Sequence, residues 1–350
     1  MRNPTFLWII AICLFINLVQ AKTKVEFTGW GTAGYRFIDR NPLTDAHQPS
    51  YYFGKLQADI EFNDEIEAQL DLRGNSITNN VTFREFSVKF KYMEHLRFKM
   101  GNIKRLFGYE YVENREDLLT INRSVVQNSM SLRGYGVRSV SLMAYYNYSD
   151  KRPDYPYSYA MSIFKDNSSG SGIGLRGLYH INKINFGLSY IFQSIAGNYP
   201  ISVNGLELQA SYRKEESQLH LGLVYAQDPL RGKQILAEND ARKKEGLPPL
   251  EEDEVVFSAG AVLSGGIKFE LDDRVIKTIE PLILLSFFIP QTQQTDNHIL
   301  QGIIGVNFYF TKKVRLRLNG DLRLTKSEYD ESGEYATDES RGIVEIQVRF

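Results

Sequence analysis

Basic side chains recur at every second position in several segments of this 350-residue chain, with apolar residues between them. In one segment Arg315, Arg317 and Arg323 alternate with leucines. Lysine and arginine side chains that line a water-filled space lower the barrier for small anions. The alternation therefore identifies candidate groups for a solute or ion path, which are Lys89, Lys91, Arg97, Lys99, Arg315, Arg317 and Arg323.

Acidic side chains occupy the same alternating face in nearly equal number. They concentrate between residues 59 and 71, as in Asp59, Glu65 and Asp71, whereas the bases concentrate between 89 and 99 and after 314. This separation predicts an electric field across the path. The alternative interpretation is a solvated wall of cross-strand ion pairs.

Three more candidate cations belong to one long connector, residues 105–133, or directly precede it: Lys104, Arg105 and Arg123. One interpretation is that they narrow and charge the path. The other is that they attach the connector to its surroundings. A connector of this length in a compact domain is more often functional than not, so both interpretations stay open.

Groups for covalent or metal chemistry are sparse. The five histidines are scattered, and none adjoins a Gly-x-Ser-x-Gly motif. Cys13 is the single cysteine and lies near the N-terminus, and the net charge is only −1. We therefore expect no cofactor, no metal and no nucleic-acid partner. A barrel enzyme of the lipase or protease type and a non-conducting adhesion barrel remain the alternatives to a channel.

The elements that must position the charged groups are β-strands, because period-two alternation runs through the chain after residue 21. In the last strand Val344, Ile346 and Val348 alternate with Glu345 and Gln347. We predict sixteen strands, at 25–38, 51–63, 65–74, 82–93, 95–104, 134–147, 157–166, 173–182, 184–195, 202–213, 217–228, 254–271, 278–289, 298–311, 314–326 and 340–350.

Connector lengths alternate along these strands. Long connectors follow odd-numbered strands, at 39–50, 105–133, 229–253 and 327–339, whereas the others are mostly short, with 148–156 as the exception. An even number of strands, with long connectors at one end of the barrel and short connectors at the other, is typical of outer-membrane barrels. The predicted fold is an all-β transmembrane antiparallel barrel.

The N-terminal 21 residues have the pattern of a cleaved signal peptide. Arg2 precedes an apolar stretch from Phe6 to Val19, which is too short to span a membrane, and Ala21 supplies a small residue for cleavage. We expect residues 22–350 to form one barrel domain in the bacterial outer membrane, in contact with its lipid.

One segment carries a family resemblance. Phe98 to Glu110 reads FKMGNIKRLFGYE, and DLLTINRS, residues 117–124, and GYGV, residues 134–137, follow. These motifs resemble the phosphate-selective porin O and P family, in which such a strand leads into a long third loop that folds into the barrel. The matching positions are Gly101, Lys104, Phe107, Gly108, Glu110, Arg123 and Ser124.

The resemblance implies a barrel of 16 strands, usually trimeric, that conducts small solutes and in several members prefers anions such as phosphate. It therefore predicts a homotrimeric porin for passive diffusion of small anionic or neutral solutes. The ladder of inward Arg and Lys residues behind that preference is not carried over residue by residue.

Two further segments carry predictions. The run Leu282 to Ile289 is apolar on both faces, so one face should meet lipid or a neighbouring subunit and the other the in-folded loop. Ile235 to Gly246 should form a charged helix in the long connector Asp228 to Asp253. That connector either gates the path or meets a partner, or it is simply a solvated external loop.

Overall fold

The computed structural model describes residues 23–39, 50–148, 155–166, 170–250, 255–294, 297–326 and 339–350. The predicted signal peptide, residues 1–21, lies outside these ranges, as do most of the connectors 39–50 and 327–339. No helix of the described ranges is long and apolar enough to cross a membrane.

Antiparallel strands form one closed sheet. Their bounds are β1 Lys24–Asp39, β2 Ser50–Glu61, β3 Ile66–Asn75, β4 Asn80–Met93, β5 Leu96–Lys104, β6 Arg138–Tyr146, β7 Tyr157–Asp166, β8 Gly170–Ile181, β9 Ile184–Ile195, β10 Ile201–Arg213, β11 Ser217–Gln227, β12 Phe257–Ile267, β13 Phe269–Glu270, β14 Thr278–Ile289, β15 Ile299–Tyr309, β16 Val314–Thr325 and β17 Glu339–Arg349. Only Lys268 separates β12 from β13, and both pair with β14. They form one barrel strand, and the predicted sixteen are confirmed.

The barrel closes because β1 pairs with β17 on one side and with β2 on the other. Alternation then sorts the side chains. Leu322 and Ile304 are exposed on the outer surface, whereas Arg317 is buried inside. An apolar exterior around a polar interior reverses the arrangement of a soluble protein and fits a transmembrane barrel, as predicted.

The two ends of the barrel differ. Tight turns such as 62–65 and 310–313 define a short-turn end, and connectors 105–137 and 228–256 lie at the opposite, long-loop end. Connector 105–137 folds into the lumen and contains α1 (Tyr109–Val112), a 3₁₀ turn (Arg115–Asp117) and α2 (Val125–Leu132). We call it the constriction loop.

The second long connector carries the charged helix expected at 235–246, which begins earlier, as α3 (Pro229–Lys244). Its start is fixed by Asp228, whose carboxylate accepts hydrogen bonds from the amides of Leu230 and Arg231. Pro229 at the first helical position also favours a helix that begins here, because its ring already holds φ at a helical value.

The apolar core lies inside the lumen. Val126 and Met130 of α2 pack against the inward Leu284 and Phe288 of β14, together with apolar residues from β7 to β15. This packing confirms that the constriction loop covers the inward face of Leu282 to Ile289; Ile283 and Leu285 are exposed outward. The core therefore occupies the lumen beside β7 to β15 at the level of the constriction loop.

Candidate functional site: the lumen constriction

Glycines allow the constriction loop to leave the wall. Gly101 of β5 has a φ of 143°, and a Cβ there would lie 2.0 Å from the carbonyl oxygen of Phe86. Gly108, with a φ of 84°, lies where a Cβ would meet the side chain of Gln127 at 2.3 Å. Both glycines belong to the family-like motif, and these close approaches explain why glycine is needed.

Inward acceptors on the wall hold the amides of the loop. Glu207 of β10 accepts from the N–H groups of Gly108 and Tyr109, at 2.9 and 2.7 Å. On β15, four strands further round the barrel, Gln301 accepts from Val125 N at 2.6 Å. Buried acceptors of this kind satisfy loop amides that would otherwise lose their water partners.

Inward arginines hold the carbonyls of the loop. Arg315 donates to the carbonyl oxygen of Glu116 at 2.7 Å, and Arg317 donates to that of Thr120 at 3.3 Å. Arg317 also forms an ion pair with Glu345. The side chains of these two predicted path residues are therefore buried and attach the loop to the wall.

Glu110 and Ser124 close the loop upon itself. Ser124 donates both its backbone N–H, at 3.0 Å, and its hydroxyl to Glu110 Oε2. Burial raises the pKa of Glu110, and the two hydrogen bonds partly oppose this rise. The Glu and the Arg-Ser step of the family-like motif are thus one structural contact, which brings two parts of the loop together.

Five cations meet where the loop approaches β3 to β6. They are Arg73 of β3, Arg84 of β4, Lys104 of β5, Arg123 of the loop and Arg138 of β6, and they lie close enough to act on one another electrostatically. We call them the basic cluster. Lys104 Nζ is held by the carbonyl oxygens of Val112 and Glu113, at 3.0 Å each.

A β-bulge brings Arg84 into this cluster. The β3–β4 register shifts at Asp71 and Leu72, so that Asp71 pairs with Glu85 and Leu72 pairs with Phe83. Arg84 is the extra residue. A bulge redirects the side chain that it carries, and here that side chain lies among the inward groups Arg73, Arg138 and Asp71.

The basic cluster exceeds the acids beside it. Asp71 lies 3.3 Å from Arg73 and also pairs with Lys55, and Glu85 lies 3.4 Å from Arg138 and 2.6 Å from Lys99. Arg84 has no carboxylate within 4.0 Å in the part of the chain that the structure describes. Two shared carboxylates beside so many cations leave a net positive surface.

Two more arginines lie against aromatic rings of β2. The guanidinium of Arg36 lies 4.4 Å from the ring centroid of Tyr51, and that of Arg115 lies 4.4 Å from that of Phe53. A guanidinium held by its face keeps its N–H edge available for an anion. Arg115 also interacts electrostatically with Arg73 and Arg123, so the positive lining continues from the basic cluster.

The other predicted path residues lie elsewhere. Lys89 pairs with Glu67 at 2.5 Å, Lys99 is buried with Glu85, and Arg105 is buried and donates to Gly134 O and Gln193 Oε1. Lys91 and Arg97 are register partners near the short-turn end, and both are exposed. Arg323 is half-buried near the long-loop end of β16.

Lys104 and Arg123 are therefore the predicted residues that the structure brings together, and Arg73, Arg84 and Arg138 were missed. Several inward charges form pairs between strands, such as Lys89–Glu67 and Lys55–Asp71, as the interpretation of a wall of ion pairs expects, and the transverse field stays a prediction. Among the described residues no group of three or more His, Cys, Asp and Glu could hold a metal ion.

A cavity of about 1310 Å³ opens on the short-turn side of the constriction loop. Glu113 and Asp117 of the loop and Arg213, Arg315 and Arg349 of the wall line it. The loop therefore separates this vestibule from the long-loop end of the barrel, and a solute that crosses the barrel has to pass its edge.

No protein-family model and no curated protein matches the sequence. Solved structures do match over 94% of the chain. They include an anion-selective porin from Comamonas acidovorans (TM-score 0.63, 13% identity, 100% of that chain), the trimer form of OmpT, an outer membrane protein of Vibrio cholerae (0.61, 10%, 99%), and the outer membrane channel DcaP of Acinetobacter baumannii (0.58, 9%, 97%). The fold is that of the porins. Identities this low show the fold alone, so the predicted membership of the phosphate-selective O and P family stays a prediction.

Proposed function

We propose that this chain is an outer-membrane porin through which small hydrophilic solutes diffuse passively, and that its constriction favours anions. The observation that carries the proposal is the basic cluster at the edge of the constriction loop. A surplus of fixed cations inside a low-dielectric barrel lowers the energy of an anion that passes and raises that of a cation.

The basic cluster remains accessible to solvent, and Arg84 is exposed. Arg73, Lys104 and Arg123 are only partly buried, whereas the apolar core fills the lumen beside β7 to β15. The similar fold of a porin described as anion-selective adds support. Of the residues predicted from sequence, Lys104 and Arg123 remain the proposed path residues, and Arg73, Arg84 and Arg138 join them.

The proposal also includes the outer membrane as the location and a homotrimer as the assembly. The exposed apolar side chains of the outer surface, such as Leu322, Leu324 and Ile346, fit contact with lipid. OmpT of similar fold has been described in a trimer form. Cross-linking of the detergent-extracted protein, followed by sizing, tests the trimer.

Uptake into liposomes tests the anion preference. We expect liposomes with the wild-type protein to admit a small organic anion faster than a cation of equal size. Replacing Arg84 and Arg123 with glutamine should remove most of this difference, whereas Lys91→Gln, at the exposed rim, should not. Inhibition of anion uptake by added phosphate would show that the preference includes phosphate. Equal uptake of the anion and the cation by the wild type would refute the anion preference.

One observation favours a hydrolase as the second candidate. Ser158 Oγ lies 2.7 Å from His180 Nε2, and His180 Nδ1 lies 2.7 Å from Asn185 Oδ1. This order resembles the triad of a serine hydrolase with an amide in place of the carboxylate. All three side chains are buried in the inner wall, with Ser158 only 2% exposed. A fluorophosphonate should therefore leave Ser158 unlabelled in the folded barrel, and labelling would favour the hydrolase.

A further inference from the structure

One buried carboxylate belongs to both long connectors. Asp228 lies between β11 and α3, and its side chain is 3% exposed. Its Oδ1 accepts from the amides of Leu230 and Arg231, at 2.9 and 3.3 Å, and so begins the helix. Its Oδ2 accepts from Arg133 Nε at 2.8 Å and lies 2.7 Å from Arg133 Nη2.

Arg133 holds the last turn of α2 in the constriction loop. Its Nη1 donates to the carbonyl oxygen of Ser129 at 3.3 Å, and its guanidinium lies 5.2 Å from the ring centroid of Phe288. Its own carbonyl oxygen accepts from Gln193 of β9. The end of α2 is therefore fixed by the wall on one side and by Asp228 on the other.

Neighbouring contacts strengthen the same junction. Tyr135 Oη lies 2.7 Å from the carbonyl oxygen of Gln227, the residue before Asp228, and Asp228 N donates to Val256 O, where the external connector returns. Arg105, at the start of the constriction loop, donates to Gly134 O at 2.6 Å. Both ends of each connector thus meet around one ion pair.

We propose that Asp228 is a positioning residue that couples the external helix α3 to the constriction loop. A displacement of α3 moves its capping carboxylate, and Arg133 then loses the carboxylate oxygen that holds the end of α2. Because α2 carries the apolar contacts to β14, the end of the loop is then free to move within the lumen. This inference rests on the proposed function as a channel.

The pair is suited to this role because it is buried and because two N–H groups of Arg133 meet the single oxygen Oδ2 that the helix cap leaves available. A buried guanidinium that loses its carboxylate is strongly disfavoured, so the loop end has to rearrange rather than stay in place. By contrast Asp240, on the exposed face of the same helix, pairs with Lys244 at 2.9 Å, where solvent screens the interaction. Asp240 therefore provides a matched control.

Single-channel recording of the refolded protein in planar bilayers tests the coupling. Asparagine can still cap a helix. Asp228→Asn therefore keeps α3 but removes the charge that Arg133 needs, and we expect brief current interruptions at least threefold more often than in the wild type. Asp240→Asn should match the wild type. Arg133→Lys keeps the charge but not the two N–H groups that converge on Oδ2. It should resemble Asp228→Asn and serves if that variant does not fold.

A second comparison separates coupling from local damage. Replacing residues 233–246 with a flexible Gly-Ser linker should raise the interruptions in the wild type but not further in Asp228→Asn. Additive effects, or Asp228→Asn channels as quiet as those of Asp240→Asn, would overturn the coupling and leave the channel proposal intact. Folded protein without any channels would overturn the proposed function itself.

Discussion

Lys104 and Arg138 are register partners at the ends of β5 and β6, and both side chains lie inside the barrel although their alternation matches that of the outward Val140. Pairing between β4 and β5 ends at Asn102, and pairing between β6 and β7 begins at Val140. Beyond these positions β5 and β6 pair only with each other. The contacts of Lys104 with loop carbonyls and of Arg138 with Glu85 show that this two-strand end, the β5–β6 hairpin, leans into the lumen. Lys104 and Arg138, which would otherwise face the lipid, thereby become part of the basic cluster.

Gly101 should be indispensable where the hairpin begins to lean. In Gly101→Ala the new Cβ would meet the Phe86 carbonyl and would require an unfavourable φ, so we expect a loss of more than about 2 kcal/mol of barrel stability. Urea unfolding after refolding in detergent measures this loss. Gly74→Ala, where a Cβ meets nothing within 4 Å, should behave as the wild type. Equal stabilities would contradict the account of the hairpin.

Glu207 should fix the start of the constriction loop. Glu207→Gln leaves one acceptor oxygen for two amides, and losing a charge-assisted hydrogen bond should cost about 2 kcal/mol. The looser loop should also raise the noise of the open-channel current. Glu61→Gln, at an exposed pair with Lys24, should change neither quantity. A quiet and stable Glu207→Gln channel would show that the loop is held elsewhere.

Neighbouring phenylalanines on β14 should differ because they point to opposite faces. Phe288 is fully buried in the core inside the lumen, so Phe288→Ala should cost about 3 to 5 kcal/mol and leave a cavity beneath α2. Phe287 faces outward, and Phe287→Ala should cost less because lipid or detergent can fill the space. Thermal unfolding monitored by gel mobility compares the two. A larger loss at Phe287 would mean that the core inside the lumen is not tightly packed.

Glu110 should make stability depend on pH. Its pKa in the folded protein is raised above the ordinary 4.5 by burial, so its stabilising contribution is present below pH 4.5 and is lost as pH rises through the raised value. The stability of the wild type relative to Glu110→Gln should therefore fall between pH 4 and pH 8. Glutamine can still accept from Ser124, so the variant should fold. If the difference in stability between the wild type and Glu110→Gln were the same at pH 4 and pH 8, Glu110 would be in contact with water.

The strands could be predicted because alternation is a short-range pattern, whereas the in-folded loop was implied by the family resemblance. Alternation along β16, for example, puts Arg315 and Arg317 inside and Leu316 outside, and the structure has them there. What those arginines do was not predictable, because only the folded loop shows which carbonyl oxygen each one meets. A cation that holds a loop and one that lines a path look the same in the sequence.

Arg84 and Arg138 of the basic cluster escaped prediction for a different reason. One extra residue in β4 shifts the alternation at Arg84, and the leaning hairpin reverses the side on which Arg138 lies. Predicting the direction of side chains from period-two alternation assumes that every strand has a regular hydrogen-bonded ladder on both sides. It therefore fails at bulges and at unpaired strand ends, and in this barrel both occur beside the constriction.

The most direct test of the central claim is the reversal potential of wild-type channels in a planar bilayer under a tenfold gradient of potassium chloride. A net positive constriction predicts a potential shifted toward the chloride equilibrium value, and a shift that becomes smaller in Arg84→Gln. A potential at zero or on the potassium side would contradict the anion-favouring constriction and would mean that the carboxylates Asp71 and Glu85 neutralise the basic cluster.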